Sequence, residues 1–118
     1  MTQRLMDEIL SFRDARNWKQ YHTPKDLAIS LSIEAAELLE VFQWSGSDLN
    51  CEGKTEKIRE ELADVLMYGL LMADACHLNV EEIIRDKLDR NKQKYPVELA
   101  YGSSLKYTEL KDKDSKGE

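Results

Sequence analysis

Residues 30–44, SLSIEAAELLEVFQW from Ser30 to Trp44, set three glutamates inside what otherwise reads as a buried helix. At about 100° of rotation per residue, Glu34 and Glu37 fall about 60° apart on one stripe. Ser30 and Val41 lie beside them, and the remaining faces carry Leu31, Ile33, Ala35, Ala36, Leu38, Leu39, Phe42 and Trp44. A helix that is apolar nearly all round belongs in an interior. Ionised carboxylates there are costly unless something positive meets them.

Residues 60–76, EELADVLMYGLLMADAC, have the same form. Glu61, Asp64 and Tyr68 are spaced i, i+3, i+7 and share one helical face. Two such helices side by side place four acidic side chains around one point, and no nearby run of Lys or Arg is present to neutralise all four. A divalent cation is the economical solution, and an all-oxygen ligand set suits Mg²⁺ or Mn²⁺ better than zinc or copper. The competing reading is that Glu-x-x-Glu on a helix merely marks a solvated face. Against it, Asp64 is the one side chain between Leu62 and Ala73 that is ionised near neutral pH.

The 118 residues suit one domain. Residues 1–110 are expected to form a single helical domain, and the charged end at 111–118 to be a disordered tail. A net charge of −6 argues against partnership with a nucleic-acid polymer or a membrane surface, since both normally require a basic face. Cys51 and Cys76 make no disulfide framework, so a reduced, cytoplasmic setting is expected. No stretch reaches the roughly 18 uncharged residues of a membrane span.

Taken in order, residues 3–16 carry Leu5, Ile9 and Phe12, with Met6 and Leu10 on the flank, the stripe of an amphipathic helix ending near Asn17. A loop is expected through Trp18, Tyr21 and His22. Thr23-Pro24 reads as an N-cap followed by proline at the first helical position, with Asp26 at N3, opening a second helix to about Gln43. Residues 45–54 are turn-rich. A third helix runs from about Thr55 to His77, beginning with solvated charges at Glu56, Lys57, Arg59 and Glu60. A fourth follows Asn79, whose spacing to Glu82 fits a capping arrangement, and Tyr95-Pro96 stops it after about Lys94. Residues 97–110 fit a short helix or an extended arm equally well. The expected architecture is all-α, an antiparallel four-helix bundle.

A bundle this short has one interior, yet helices two and three are apolar on more than one side. The surplus surface implies a homo-oligomer with the site near the subunit boundary. On helix four, Lys87, Asn91 and Lys94 share a face. That stripe fits solvent as well as it fits a polyphosphate beside Mg²⁺. Trp18, His22, Phe42, Trp44 and Tyr68 fall at helix ends or on the carboxylate side, where they suit either the core or the stacking of a flat heterocycle.

The pattern Glu34-x-x-Glu37 followed by Glu61-x-x-Asp64 resembles the signature of the MazG-like all-α nucleoside triphosphate pyrophosphohydrolases. The stretches RDARNWKQYHTPKDLAISLSIEAAELLEVFQW, EELADVLMYGLLMAD and KLDRNKQKYPVE are similar to the dCTP pyrophosphatase branch, over roughly Phe12 to Glu98. Residue by residue, the resemblance implies that Glu34, Glu37, Glu61 and Asp64 hold Mg²⁺. It implies that Trp18, His22, Trp44 and Tyr68 form a base and sugar pocket, and that Lys87 and Asn91 contact phosphate, with Lys94 on the same stripe. It further implies tight dimers paired into tetramers, and hydrolysis of a nucleoside triphosphate to the monophosphate and pyrophosphate. Tyr21 stands where relatives often carry Phe, and the loop around Cys51 matches no motif. In the expected mechanism a water attacks the α-phosphorus, Glu37 positions it as base, Glu34 is chiefly a ligand, and Glu61 completes the catalytic carboxylates.

Three other readings compete. A di-iron bundle requires Glu-x-x-His on two helices, whereas the nearest pattern, Asp74-Ala75-Cys76-His77, occurs once and at a helix end. A non-enzymatic oligomerisation module leaves four interior carboxylates without a reason. Phosphoribosyl-ATP pyrophosphohydrolase is the alternative within the same superfamily.

Overall fold

In the computed structural model, which describes residues 3–106, 108 and 109, the chain is all-helical, with five α-helices and no strand among the described residues. They are α1 (Gln3–Ala15), α2 (Pro24–Glu40), α3 (Thr55–Ala75), α4 (Val80–Lys94) and α5 (Val97–Ala100). The chain divides into two compact units, Met1–Asn79 and Val80–Glu118. The expected tail at 111–118 lies outside the described residues. No described helix is long and apolar enough to cross a membrane.

In the first unit, α2 and α3 make the most extensive contact and α1 packs on α3. Ile9, Leu27 and Leu71 form the buried centre, one from each helix, with Leu10, Met67, Tyr68 and Met72 packed around them. Leu27 shares this cluster with Leu71, whereas Glu34 meets Asp64 and Glu37 meets Glu61. Each step forward along α2 therefore meets a step back along α3, so the pair is antiparallel.

Helix ends follow local chemistry. Asn17 adopts the left-handed conformation (φ 54°) that stops α1, as short polar side chains tolerate. The expected loop after it is in fact a 3₁₀ turn, Trp18–Tyr21. The Thr23 hydroxyl accepts from the Asp26 backbone N–H at 3.1 Å and donates to the Asp26 carboxylate at 2.9 Å, and Pro24 opens α2 as expected. That helix ends at Glu40, a little before Gln43, because the amides of Val41, Phe42 and Gln43 turn to carbonyls three residues back. Cys51 is a buried plug in the loop, its N–H held by the Asp48 carboxylate at 3.1 Å. Lys54 Nζ donates to the Val41 carbonyl at 3.3 Å, satisfying an acceptor at the end of α2. α3 closes with His77 in the left-handed region, and the amides of His77 and Leu78 donate to the Asp74 and Ala73 carbonyls, a Schellman motif.

The second unit holds α4 and α5. Tyr95 N–H still donates to the Asn91 carbonyl at 2.8 Å, after which Pro96 turns extended and its carbonyl accepts from Leu99 and Ala100. The segment after Pro96 thus begins as a short helix. Lys87 and Lys94 are exposed and Asn91 is half-buried.

One contact that the apolar pattern did not announce ties α1 to α3. Arg13 is only 5% exposed, and its guanidinium donates to Asp14 (Nε, 2.8 Å) and to Asp74 (Nη1, 2.7 Å). Arg13→Met should cost about 1 kcal/mol in denaturant unfolding, because it leaves two partly exposed carboxylates without the cation they share. The hydrogen bond from Arg13 holds the Asp14 carboxyl below its ordinary pKa. That contribution is complete above the unfolded carboxyl value, about 3.9, and is lost as pH falls through the lower folded value. The stability gap between wild type and Arg13→Met should therefore narrow as pH falls below about 3.9.

Candidate active site

The antiparallel register of α2 and α3 brings the two acidic stripes face to face. One oxygen from each of Glu34, Glu61 and Asp64 lies within 4.8 Å of the others. Glu37 sits beside both Glu34 and Glu61, close enough to act on the carboxyl of each. Three of the four acids expected to form one cluster thus gather at one point, and Glu37 lies beside them without joining that set of oxygens.

The cluster is under electrostatic strain. Glu34 is half-buried, and its carboxyl is pushed above the ordinary value first by desolvation, then by the hydrogen bond and charge of Glu37 and the charges of Asp64 and Glu61. Glu61 is 7% exposed, yet its carboxyl is held below the ordinary value, chiefly by a hydrogen bond from Lys57. In that ion pair Lys57 Nζ stands 2.8 Å from Glu61 Oε1, so Lys57, solvated as expected, is also a partner of the cluster. The signal was present in the i, i+4 spacing of the two residues. Lys57 answers one oxygen only. Oε2 of Glu61 and Oε2 of Glu34 are buried with no hydrogen-bond partner in the structure.

Two orphaned buried oxygens in an all-carboxylate cluster are what a hard divalent cation would satisfy. Three carboxylate oxygens gathered within 4.8 Å of one another are a donor set of the kind such an ion takes.

Asp64 also lines a cavity of about 200 Å³, together with Ile9, Phe12, Arg13, Trp18, His22, Met67, Tyr68 and Leu71. Three of the expected pocket aromatics, Trp18, His22 and Tyr68, thus come together at the edge of the carboxylate cluster. Trp18 is braced by an edge-on contact with Phe12 (5.6 Å between ring centres), and the Arg16 guanidinium lies 3.8 Å over the Phe12 ring. Burial, and then the charge of Arg13, push the His22 pKa below its ordinary value, so the imidazole is neutral near pH 7. Its Nδ1 is buried without a partner, leaving a polar atom for a ligand. The cavity is walled mostly by apolar and aromatic groups with a few polar atoms, which suits a flat, uncharged heterocycle.

One expected aromatic stands apart from this group. Trp44 is 87% exposed and does not line the cavity. Lys87, Asn91 and Lys94 belong to α4, in the second compact unit. Conversely, Phe12, Arg13 and Met67 line the cavity without having been singled out. Arg13 had left one sequence signal, a cation four residues beyond Ile9 on the apolar face of α1.

Residues 29–110 match the MazG-like family. Two curated relatives, dCTP pyrophosphatase 1 of Mus musculus and of Homo sapiens, are each 38% identical over 104 residues, covering 84% of this chain. The chain spans about 61% of the length of those relatives. The crystal structure of a pyrophosphatase from Archaeoglobus fulgidus matches with a TM-score of 0.75 at 45% identity, over 80% of this chain and 91% of that one. The chain belongs to the MazG-like family.

Proposed function

We propose that the protein is a nucleotide pyrophosphohydrolase that hydrolyses a nucleoside triphosphate, dCTP or a related or modified deoxynucleotide, to the monophosphate and pyrophosphate. The observation that carries this reading is the meeting of Glu34, Glu61 and Asp64 oxygens beside an aromatic cavity that shares Asp64. The names of the relatives support the reaction and the base.

Trp18 and Tyr68 stack on and flank the base, and His22 offers Nδ1 to its polar edge. Glu34, Glu37, Glu61 and Asp64 would hold Mg²⁺, with Mn²⁺ as a substitute. When bound, the ion supplies Lewis-acid charge stabilisation and eases deprotonation of water. Glu37, at the edge of the cluster, orients the attacking water and accepts its proton. The water oxygen forms the new bond to the α-phosphorus as the bond to the bridging oxygen breaks, and pyrophosphate leaves with the electron pair. Lys87, Asn91 and Lys94 contribute further phosphate contacts.

The working form is an oligomer, a tetramer built as a dimer of dimers from subunits of four-helix-bundle type. In the single chain Ile29, Ile33 and Leu39 of α2 and Leu62 and Leu66 of α3 stay substantially exposed, Leu66 at 59%. Apolar side chains in this number on neighbouring helices suit a subunit interface. Trp44, standing clear of its own cavity, is then available to the site of a neighbouring copy.

Three outcomes test this reading. A panel of nucleotides assayed with Mg²⁺ should yield monophosphate and pyrophosphate, with activity abolished by a chelator and restored by Mg²⁺; diphosphate and inorganic phosphate as products would refute it. Glu37→Gln should lower kcat by about 10²-fold or more while nucleotide binding in calorimetry persists. Sedimentation at micromolar concentration should show a species larger than the monomer, and a soluble, active monomer would overturn the assembly.

A further inference from the structure

The site has two different ends. Asp64 lines the more enclosed, largely apolar cavity, whereas Glu37 and Glu61 line a more open groove of about 560 Å³ together with Glu40, Val41, Lys54 and Lys57. Cluster, cavity and groove therefore share residues in series: cavity, Asp64, the carboxylate cluster, Glu61 and Glu37, groove. A base seated in the cavity and an α-phosphate at the cluster leave the rest of a triphosphate one direction to go. The cavity is the smaller and more enclosed of the two, and the groove is larger and more open.

The groove would repel such a tail if its carboxylates stood alone, because Glu37, Glu40 and Glu61 all present negative charge to it. Lys54 and Lys57 are the cations among its lining residues. Each ammonium is held at the groove by a contact that a stronger partner can replace: Lys54 Nζ by the Val41 carbonyl at 3.3 Å, Lys57 Nζ by Glu61 Oε1 at 2.8 Å. A cation taking up Glu61 weakens its claim on Lys57, freeing that ammonium for another anion.

Building on the pyrophosphohydrolase reading, we propose that Lys54 and Lys57 seat the departing pyrophosphate, so that a nucleotide lies across α2 and α3 with its base at Trp18, His22 and Tyr68 and its terminal phosphates at the two lysines. As the bond from the α-phosphorus to the bridging oxygen breaks, the electron pair goes to pyrophosphate, and the ammonium groups meet the charge that builds on it.

The experiment is calorimetry of the full chain with pyrophosphate and, separately, with dCMP, both in Mg²⁺, comparing wild type with Lys54→Gln/Lys57→Gln and with the charge-keeping Lys54→Arg/Lys57→Arg. The Gln pair should weaken pyrophosphate binding at least tenfold and leave dCMP within twofold, and the Arg pair should recover most of the loss. Mg²⁺ titrated alone should bind the Gln pair no more weakly than wild type, since Lys57 competes with the ion for Glu61. Unchanged pyrophosphate affinity overturns the assignment. So does a parallel loss of dCMP or Mg²⁺ affinity, which would mark the lysines as supports of Glu61. A wild type that hydrolyses no nucleotide but binds pyrophosphate through these lysines would sink the pyrophosphohydrolase reading and keep the anion seat.

Discussion

The antiparallel contact between α2 and α3 is the constraint on which the site depends. It is held at one end by the packing of Leu27 and Leu71 with Ile9, and near the other by Lys54 reaching back to the Val41 carbonyl. Between them, Glu34 and Glu37 are forced against Glu61 and Asp64. Apolar burial elsewhere along the interface thus offsets a repulsion that neither helix would accept alone. The raised pKa of Glu34 and the unpartnered oxygens of Glu34 and Glu61 are two signs of one stored electrostatic cost. Relief of that cost is a source of affinity for a cation, since a ligand that stabilises the folded arrangement recovers free energy already spent in making it.

The cations around the cluster are arranged so as not to abolish this tension. Lys57 satisfies one oxygen of Glu61 from the exposed side and leaves the other unmet. Arg13, the most deeply buried cation described, is spent on Asp14 and Asp74. Burial lowers the His22 pKa first, and the charge of Arg13 adds to it, so the imidazole stays neutral. Neutral polar atoms in the aromatic cavity and unneutralised carboxylates beside it form two chemically distinct compartments a few ångströms apart.

Much of this was legible in the residues. The carboxylate stripes followed from helical spacing, and the cap at Thr23, Pro24 and Asp26 followed from local chemistry that tertiary packing had no reason to override. What the residues could not give was anything requiring a third partner. Periodicity places Arg13 on the apolar side of α1, but its meeting with Asp74 depends on how α1 crosses α3. The 3₁₀ turn at Trp18–Tyr21 depends on the left-handed Asn17 and on the Phe12 contact that holds Trp18. Helices two and three read as interior because nearly every face is greasy. In one chain, however, Ile33 and Leu66 are exposed, since hydrophobicity records that a surface wants covering and not by what.

Asp64 is a party wall, belonging to the cavity on one side and to the cluster on the other. Occupants of the two compartments cannot be energetically independent, because each sets the position and charge of a side chain the other must use. Linkage of this kind runs equally in both directions. A guest that fits the aromatic chamber badly will be felt as a loosened grip on whatever sits among the acids, so discrimination between guests can be exercised at a distance from the atoms that differ.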